Sequence, residues 1–266
     1  MNDPILSVRA LRKFYGAVKA VNDVSFNVGP GEMVAIIGPN GAGKSTCFNS
    51  LNGQIRPDGG SIRFEGRDIG GISPDAAWRA GIGRTFQITA TFSSMSVREN
   101  VQTVLLSYHR SILSFWRAAA SRYRADADEL LDLVGMSEQA DRLCGVLAYG
   151  DLKRVELAMA LANKPRLLLM DEPTAGMAPS ERISLMALTR RLVTQTGVSV
   201  LFTEHDMDVV FSQADRIVVL NRGEVIATGL PAEVRNNGVV QEVYLGGGTM
   251  FAAEAASEAA REAAPC

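Results

Sequence analysis

The residues 38–46, Gly38-Pro39-Asn40-Gly41-Ala42-Gly43-Lys44-Ser45-Thr46, place a lysine and two hydroxyls directly behind a glycine-rich turn, in the spacing G-x-x-x-x-G-K-S/T. That order of residue types suits a polyphosphate. The glycines let successive backbone N–H groups curl around phosphate oxygens, Lys44 supplies a point charge for the β- and γ-phosphates, and the Ser45 hydroxyl is placed to ligate Mg²⁺. The expected ligand is a nucleoside triphosphate. A plain glycine-rich turn before an ordinary helix would have to put Gly, Gly, Lys and Ser at these positions by coincidence. A second constellation lies downstream, where Leu167-Leu168-Leu169-Met170 runs into Asp171 and Glu172. A buried strand ending in two carboxylates is the expected partner of a phosphate loop: Asp171 holds Mg²⁺ through water, and Glu172 orients or deprotonates the attacking water. On its own the pair also reads as solvated acids capping a buried strand.

These groups need a scaffold. Met33-Val34-Ala35-Ile36-Ile37 has the length and β-branched content of a buried strand leading into the loop, and a helix starts near Lys44 with its N-terminal dipole aimed at the anion. Leu6–Leu11 and Val21–Val28 alternate as strands joined across Tyr15-Gly16, so an antiparallel β region comes first. Ser61–Phe64 and Ile82–Phe86 read as further short strands. The signal from Val97 to about Val134 and again over Asp151–Asn163 is helical. Then come a strand over Leu167–Met170, a helix over Ser180–Val193, a strand over Val198–Thr203, a helix over Met207–Gln213 and a strand over Arg216–Leu220, the alternation of a parallel α/β sheet. Beyond Gly246 the Gly-, Ala- and Glu-rich chain is expected to be a flexible tail.

The chain has 266 residues, 47% of them apolar, enough for a sizeable core in one large domain or two small ones. A net charge of -2 argues against a dedicated nucleic-acid binder. Cys47, Cys144 and Cys266 show no C-x-x-C spacing, so neither a disulfide framework nor a zinc site is expected, and the cytosol is the natural compartment. With no apolar leader and no stretch near 20 apolar residues, membrane association is expected to come through a partner.

From about Leu6 to Gly246 the sequence resembles the ATP-binding subunits of ABC transporters. The resemblance implies an α/β fold, a P-loop ABC-type ATPase with a RecA-like core, an N-terminal antiparallel β region and a helical insertion. It assigns residues 1–246 to the ATPase domain, with the core over about 1–87 and 165–246, the insertion over about 88–164, and the tail over 247–266. Tyr15 stands where the family stacks a ring on adenine. Gln87 stands where the family senses Mg²⁺ and contacts the transmembrane partner, and His205 matches the switch histidine that contacts the γ-phosphate. Ser96-Val97-Arg98-Glu99-Asn100-Val101, Glu204-His205-Asp206-Met207 and Val240-Gln241-Glu242-Val243-Tyr244-Leu245-Gly246 look like the ATPases of branched-chain amino acid importers and their urea and amide relatives.

Two loops depart from the family pattern. The signature that caps ATP on the opposite subunit of a head-to-tail dimer, usually Leu-Ser-Gly-Gly-Gln or Leu-Ser-Tyr-Gly-Gln, stands here as Leu147-Ala148-Tyr149-Gly150-Asp151. Ala148 cannot donate the hydroxyl bond, worth roughly 1.5–3 kcal/mol to a charged acceptor, and Asp151 adds like-charge repulsion if it points inward. Ala178 replaces the usual Asp or Asn of the loop that reaches across the dimer. The residues for the chain's own site are intact, so the expected assembly pairs this chain with a different ATPase subunit in preference to a second copy. The resemblance further implies two transmembrane permease subunits, an indirect periplasmic or extracellular solute-binding protein, ATP and Mg²⁺ as cofactors, and a peripheral place on the cytoplasmic face of the membrane. The basic, aromatic stretch His109–Arg117 and Arg122-Tyr123-Arg124 is read as a permease-facing surface, with a solvated amphipathic helix or lipid contact as alternatives. A lipid or polysaccharide exporter is the competing system. A soluble ABC-type protein of translation or DNA repair fits less well, since two cassettes or a long coiled coil are missing.

Overall fold

The computed structural model describes residues 3–85, 91–109 and 123–245. The first sheet is antiparallel, in the order β2-β1-β4-β5, from β1 (Leu6–Tyr15), β2 (Val18–Val28), β4 (Gly59–Phe64) and β5 (Arg67–Asp68). The second, in the order β10-β9-β3-β8-β7-β6, uses β3 (Met33–Ile37), β6 (Ile82–Thr85), β7 (Leu167–Asp171), β8 (Ser199–Thr203), β9 (Arg216–Asn221) and β10 (Glu224–Gly229). Its strands are parallel from β9 to β6, and only β10 joins antiparallel, at the edge.

The inner strands β3, β7 and β8 are buried on both faces, as a parallel sheet covered on both sides requires. Alternation along each strand divides two cores. Val34, Ile36, Leu167, Leu169, Leu201, Val218 and Leu220 face a core shared with the antiparallel sheet and with Cys47, Phe48 and Leu51 of α1 (Lys44–Leu51). Met33, Ala35, Ile37, Leu168, Met170, Val200, Phe202, Ile217 and Val219 face the opposite core. That core takes in α3 (Val97–Tyr108), α4 (Arg124–Leu133), α5 (Tyr149–Leu161) and α6 (Pro179–Thr196). The sheet thus presses α1, and the loop before it, against a second sheet.

The expected strands are present with ends shifted by a few residues, and β7 extends to include Asp171. The helical signal over Val97–Val134 resolves into α3 and α4, with 110–122 outside the described residues. Among the described residues, α2 (Pro74–Arg79), β5, β10, α8 (Pro231–Arg235) and α9 (Gly238–Leu245) are elements that propensity does not predict. The short α2 is set by local chemistry, since Ser73 accepts a bond from the Ala76 N–H and Pro74 sits at the first helical position.

Candidate functional site

Each face of the phosphate loop is built by close backbone approach. Gly38 has φ 155° and Gly43 has φ 102°, and a Cβ at either would run into a carbonyl oxygen, of Leu220 and Ala20 respectively. Only glycine lets the chain turn there while lying against β9 and β2. The loop is also buttressed from the β9–β10 turn, where Gly223 N–H donates to the Ala42 carbonyl at 3.0 Å. Behind it, the buried Tyr244 hydroxyl of α9 takes a bond from the Gly38 backbone, while burial pushes the phenol's pKa up. Lys44 lies folded into the loop, its Nζ donating to the Gly38 carbonyl at 2.7 Å and the Pro39 carbonyl at 3.2 Å. Burial draws the ammonium's pKa down, and the charges of Glu172 and Asp171 oppose that.

Asp171 and Glu172 emerge where β7 ends beside β8, and Thr203 organises both. Its Oγ1 donates to Asp171 Oδ1 at 2.8 Å, and the Glu172 N–H points back at Thr203 Oγ1 at 3.0 Å. Glu172 has a positive φ of 48°, a conformation uncommon for a residue with a Cβ. It brings the carboxylate to His205, whose Nε2 is 2.8 Å from Glu172 Oε1. The neighbours of His205 pin the loop that follows β7. Glu204 Oε1 accepts from Thr174 N–H at 2.9 Å and Thr174 Oγ1 at 2.7 Å. Arg182 donates to Asp206 Oδ2 and to the Met177 carbonyl, both at 2.9 Å. Burial is the largest influence on Glu204 and raises its pKa, against the hydrogen bonds it accepts.

A cleft of about 560 Å³ collects Tyr15, Asn40, Gly41, Ala42, Gly43, Lys44, Ser45, Thr46 and Glu172. Gly38 and Pro39 lie behind that wall, touching the Lys44 ammonium through their carbonyls. Tyr15 is 49% exposed at the cleft's edge, with the Lys13 ammonium 5.6 Å from its ring centroid. Gln87 lies outside the described residues. Sequence reasoning did not pick out Lys19 and Arg222, which also line the cleft, or Thr203 and Tyr244, which hold its groups from behind. Lys19, Thr203 and Arg222 reach the site from β2, β8 and the β9–β10 turn, and Tyr244, although inside a family-like stretch, had no role assigned to it.

Leu147, Ala148, Tyr149, Gly150 and Asp151 do not line this cleft. Ala148 and Tyr149 are exposed, Leu147 packs partly into the core, and Gly150 is buried beneath Glu181. Ala148 is the N-cap of α5 with no side-chain cap, and Ala178 is the same for α6. Between these two helix starts is a separate hollow of about 380 Å³, lined by Ala148, Asp151, Arg154 and Glu181 among others. Of the basic, aromatic stretch, His109 and Tyr123 stack with centroids 4.6 Å apart and Arg124 begins α4; residues 110–122 lie outside the described residues.

The groups fit ATP and Mg²⁺. The glycine cradle cannot accept side chains, an ammonium sits inside it, and the candidate metal donors Ser45 and Asp171 are hard oxygens. Among the described residues no three His, Cys, Asp or Glu side chains form a metal cluster. Mg²⁺ shared between one or two protein oxygens and substrate phosphates needs no such cage.

Comparison with known proteins agrees with this geometry. The family model described as ABC transporter matches residues 21–175, and one described as branched-chain amino acid ATP-binding cassette transporter matches residues 224–249. The high-affinity branched-chain amino acid transport ATP-binding protein BraF of Pseudomonas aeruginosa is 40% identical over 256 residues, covering 92% of this chain and 99% of BraF. The lipopolysaccharide export system ATP-binding protein LptB of Haemophilus influenzae is 36% identical over 242 residues, covering 91% and 97%. The crystal structure of the ADP conformation of an ABC-transporter ATP-binding cassette superposes with a TM-score of 0.83 at 31% identity, covering 92% of this chain and 100% of the other.

Proposed function

Because the chain belongs to the ATP-binding proteins of the ABC transporter family, we propose that it binds and hydrolyses ATP to power an importer of branched-chain amino acids or related urea and amide solutes. The observation that carries this reading is that Lys44 and Glu172 line one cleft, with His205 bonded to Glu172 and the charge of Asp171 acting on Lys44, in a chain 40% identical to BraF. The match of a branched-chain amino acid transporter model to residues 224–249 favours import over the export suggested by LptB. We assign the ATPase domain to residues 1–246, with a helical insertion over about 88–164.

In this reading the loop N–H groups and Lys44 hold the β- and γ-phosphates, while Tyr15 stacks on the base. Ser45, Asp171 and Gln87 would hold Mg²⁺, which would supply positive charge against the phosphates during transfer. Glu172 accepts the proton of the attacking water. His205, bonded to Glu172, faces the γ-phosphate and reports its loss to the loop 172–178 through the contacts of Glu204 and Asp206. The chain sits peripherally on the cytoplasmic face of the membrane, held by two permease subunits and served indirectly by a solute-binding protein. Among the described residues no helix is long and apolar enough to cross a membrane. An apolar groove of about 390 Å³ between α2, α3 and α5, walled by Trp78, Val104 and Met159, is where we place the permease contact.

The second ATPase subunit is a different chain. Ala148 and Ala178 leave this chain's contribution to the opposite site with backbone N–H groups and helix dipoles alone, so the partner's signature completes the site described above and drives most turnover. Isolating the chain from membranes in mild detergent and identifying what co-purifies tests the assembly: two permeases, a second ATPase and a solute-binding protein support it. Co-purification with a lipid-export system would transfer the chain to the LptB-like reading. A purified homodimer that turns over at the full rate, unaffected by Ala148→Ser, would remove the asymmetry.

A further inference from the structure

Arg84 stands on β6 opposite Leu169 of β7, on the sheet face that α1 covers. Its side chain is 14% exposed and reaches forward to Asp171, with Nη2 3.5 Å from Oδ2. Nη1 donates to Asn49 Oδ1 of α1 at 2.9 Å and to Gln54 Oε1 at 3.3 Å. The other oxygen of Asp171 accepts from Thr203, so one carboxylate oxygen is hydrogen-bonded and the other has an ion-pair partner. The last turn of α1 carries no basic residue of its own, and Arg84 supplies positive charge at that helix end. The same guanidinium also lines the apolar groove that Trp78, Val104 and Met159 wall. One side chain therefore touches a candidate metal carboxylate, the helix behind the phosphate loop, and a surface groove.

We propose that Arg84 is a positioning residue for Asp171, restraining one carboxylate oxygen through an ion pair from Nη2 while Nη1 is anchored on Asn49 and Gln54, and that it ties the metal site to the groove. This rests on the ATP·Mg²⁺ reading above. Two effects of Arg84 on the metal have opposite signs. Its charge repels a second cation, whereas its fork restrains the carboxylate, which Thr203 alone would leave free to turn. Asp171 neutralises the charge as an ion-pair partner, so the restraint dominates. Partners behind a metal ligand typically set metal affinity by about 10–100-fold. Lysine keeps the charge but not the planar fork, which separates the two effects.

The test is a Mg²⁺ titration of the full chain loaded with a fluorescent ATP analogue, for the parent, Arg84→Lys, Arg84→Gln, Asn49→Ala and Val104→Trp. The analogue is expected to bind all five in the absence of Mg²⁺. The Mg²⁺ midpoint should rise by about tenfold in both Arg84 variants and less in Asn49→Ala, which removes only an anchor of the fork. Val104→Trp, which crowds Arg84 from the groove, should move the midpoint without touching the cleft. A lower midpoint in Arg84→Gln with no change in Arg84→Lys would mean that charge governs, overturning the proposal. An unmoved midpoint in Val104→Trp would overturn the link to the groove. Should the Arg84 variants fail to fold by thermal melting, Asn49→Ala decides, and an unchanged midpoint there rejects the restraint. If the parent chain does not bind the analogue at all, the ATP reading fails instead.

Discussion

The phosphate-loop cleft and the hollow between α5 and α6 treat their polar groups in opposite ways. On the cleft side, Lys44 has a partner within 3 Å in its own loop, and Asp171, Glu172 and Glu204 each have one supplied by another segment of the same chain. On the other side α5 and α6 begin at alanines, whereas α2, α3 and α7 (Met207–Gln213) begin at Ser73, Ser96 and Asp206 with side-chain caps. Groups that a chain uses itself can be preorganised by its own fold. The hollow's helix starts offer backbone N–H groups and dipoles, and its side chains are held more loosely, Arg154 donating to Ser184 at 3.1 Å and Glu181 accepting from the Ala178 N–H at 3.2 Å.

The contrast can be broken most sharply at Glu172. Glu172→Gln should lower kcat by about 10²–10⁴-fold while ATP binding persists, since a positioned base contributes on that scale; steady-state turnover beside equilibrium binding measures both. Retained turnover would show that the Glu172–His205 pair is not the reacting pair. Lys44→Ala should weaken ATP binding by about 1.5–3 kcal/mol, the worth of a hydrogen bond to a charged group, in a nucleotide titration.

Thr174→Val removes one of the bonds to buried Glu204 and should destabilise the fold by about 1–3 kcal/mol at neutral pH. The sign with pH follows from burial. The folded pKa of Glu204 is raised, so its contribution to stability is present at low pH and declines as the pH rises through that value. Losing the hydroxyl raises the pKa further, so the variant's deficit should shrink on acidification; thermal melts across pH would expose a flat difference, which would disprove the coupling. The smallest effect belongs to Ala148→Ser. Capping α5 should add about 1 kcal/mol of stability, seen in denaturant titration, and in the assembled transporter it should raise turnover at the partner's nucleotide.

The cleft's chemistry was legible where it lay contiguous in sequence. Residues 38–46 and the strand ending at Asp171 and Glu172 carry their own geometry, because turn, strand and helix signals are local. His205 was recognisable only by order among other motifs. Its bond to Glu172 depends on β7 and β8 being parallel neighbours in register, Asp171 beside Thr203. The edge strand β10 escaped because a half-exposed hairpin arm has little apolar pattern, with only partial burial along its length. Yet its turn is what buttresses Ala42.

What the sequence by itself determined is the reaction class: residue types at fixed short spacing specify a phosphate cradle, a cation and two carboxylates, and alanines at 148 and 178, where the family pattern has Ser and Asp or Asn, are visible without coordinates. What only the tertiary structure decided is which groups hold these in place. Thr203, Glu204, Arg84, Tyr244 and the 222–223 turn are joined to the site across tens to hundreds of residues by sheet register and helix packing. Such contacts leave no periodic or spaced trace along the chain, because hydrogen bonds and burial depend on distance in space rather than on separation in sequence.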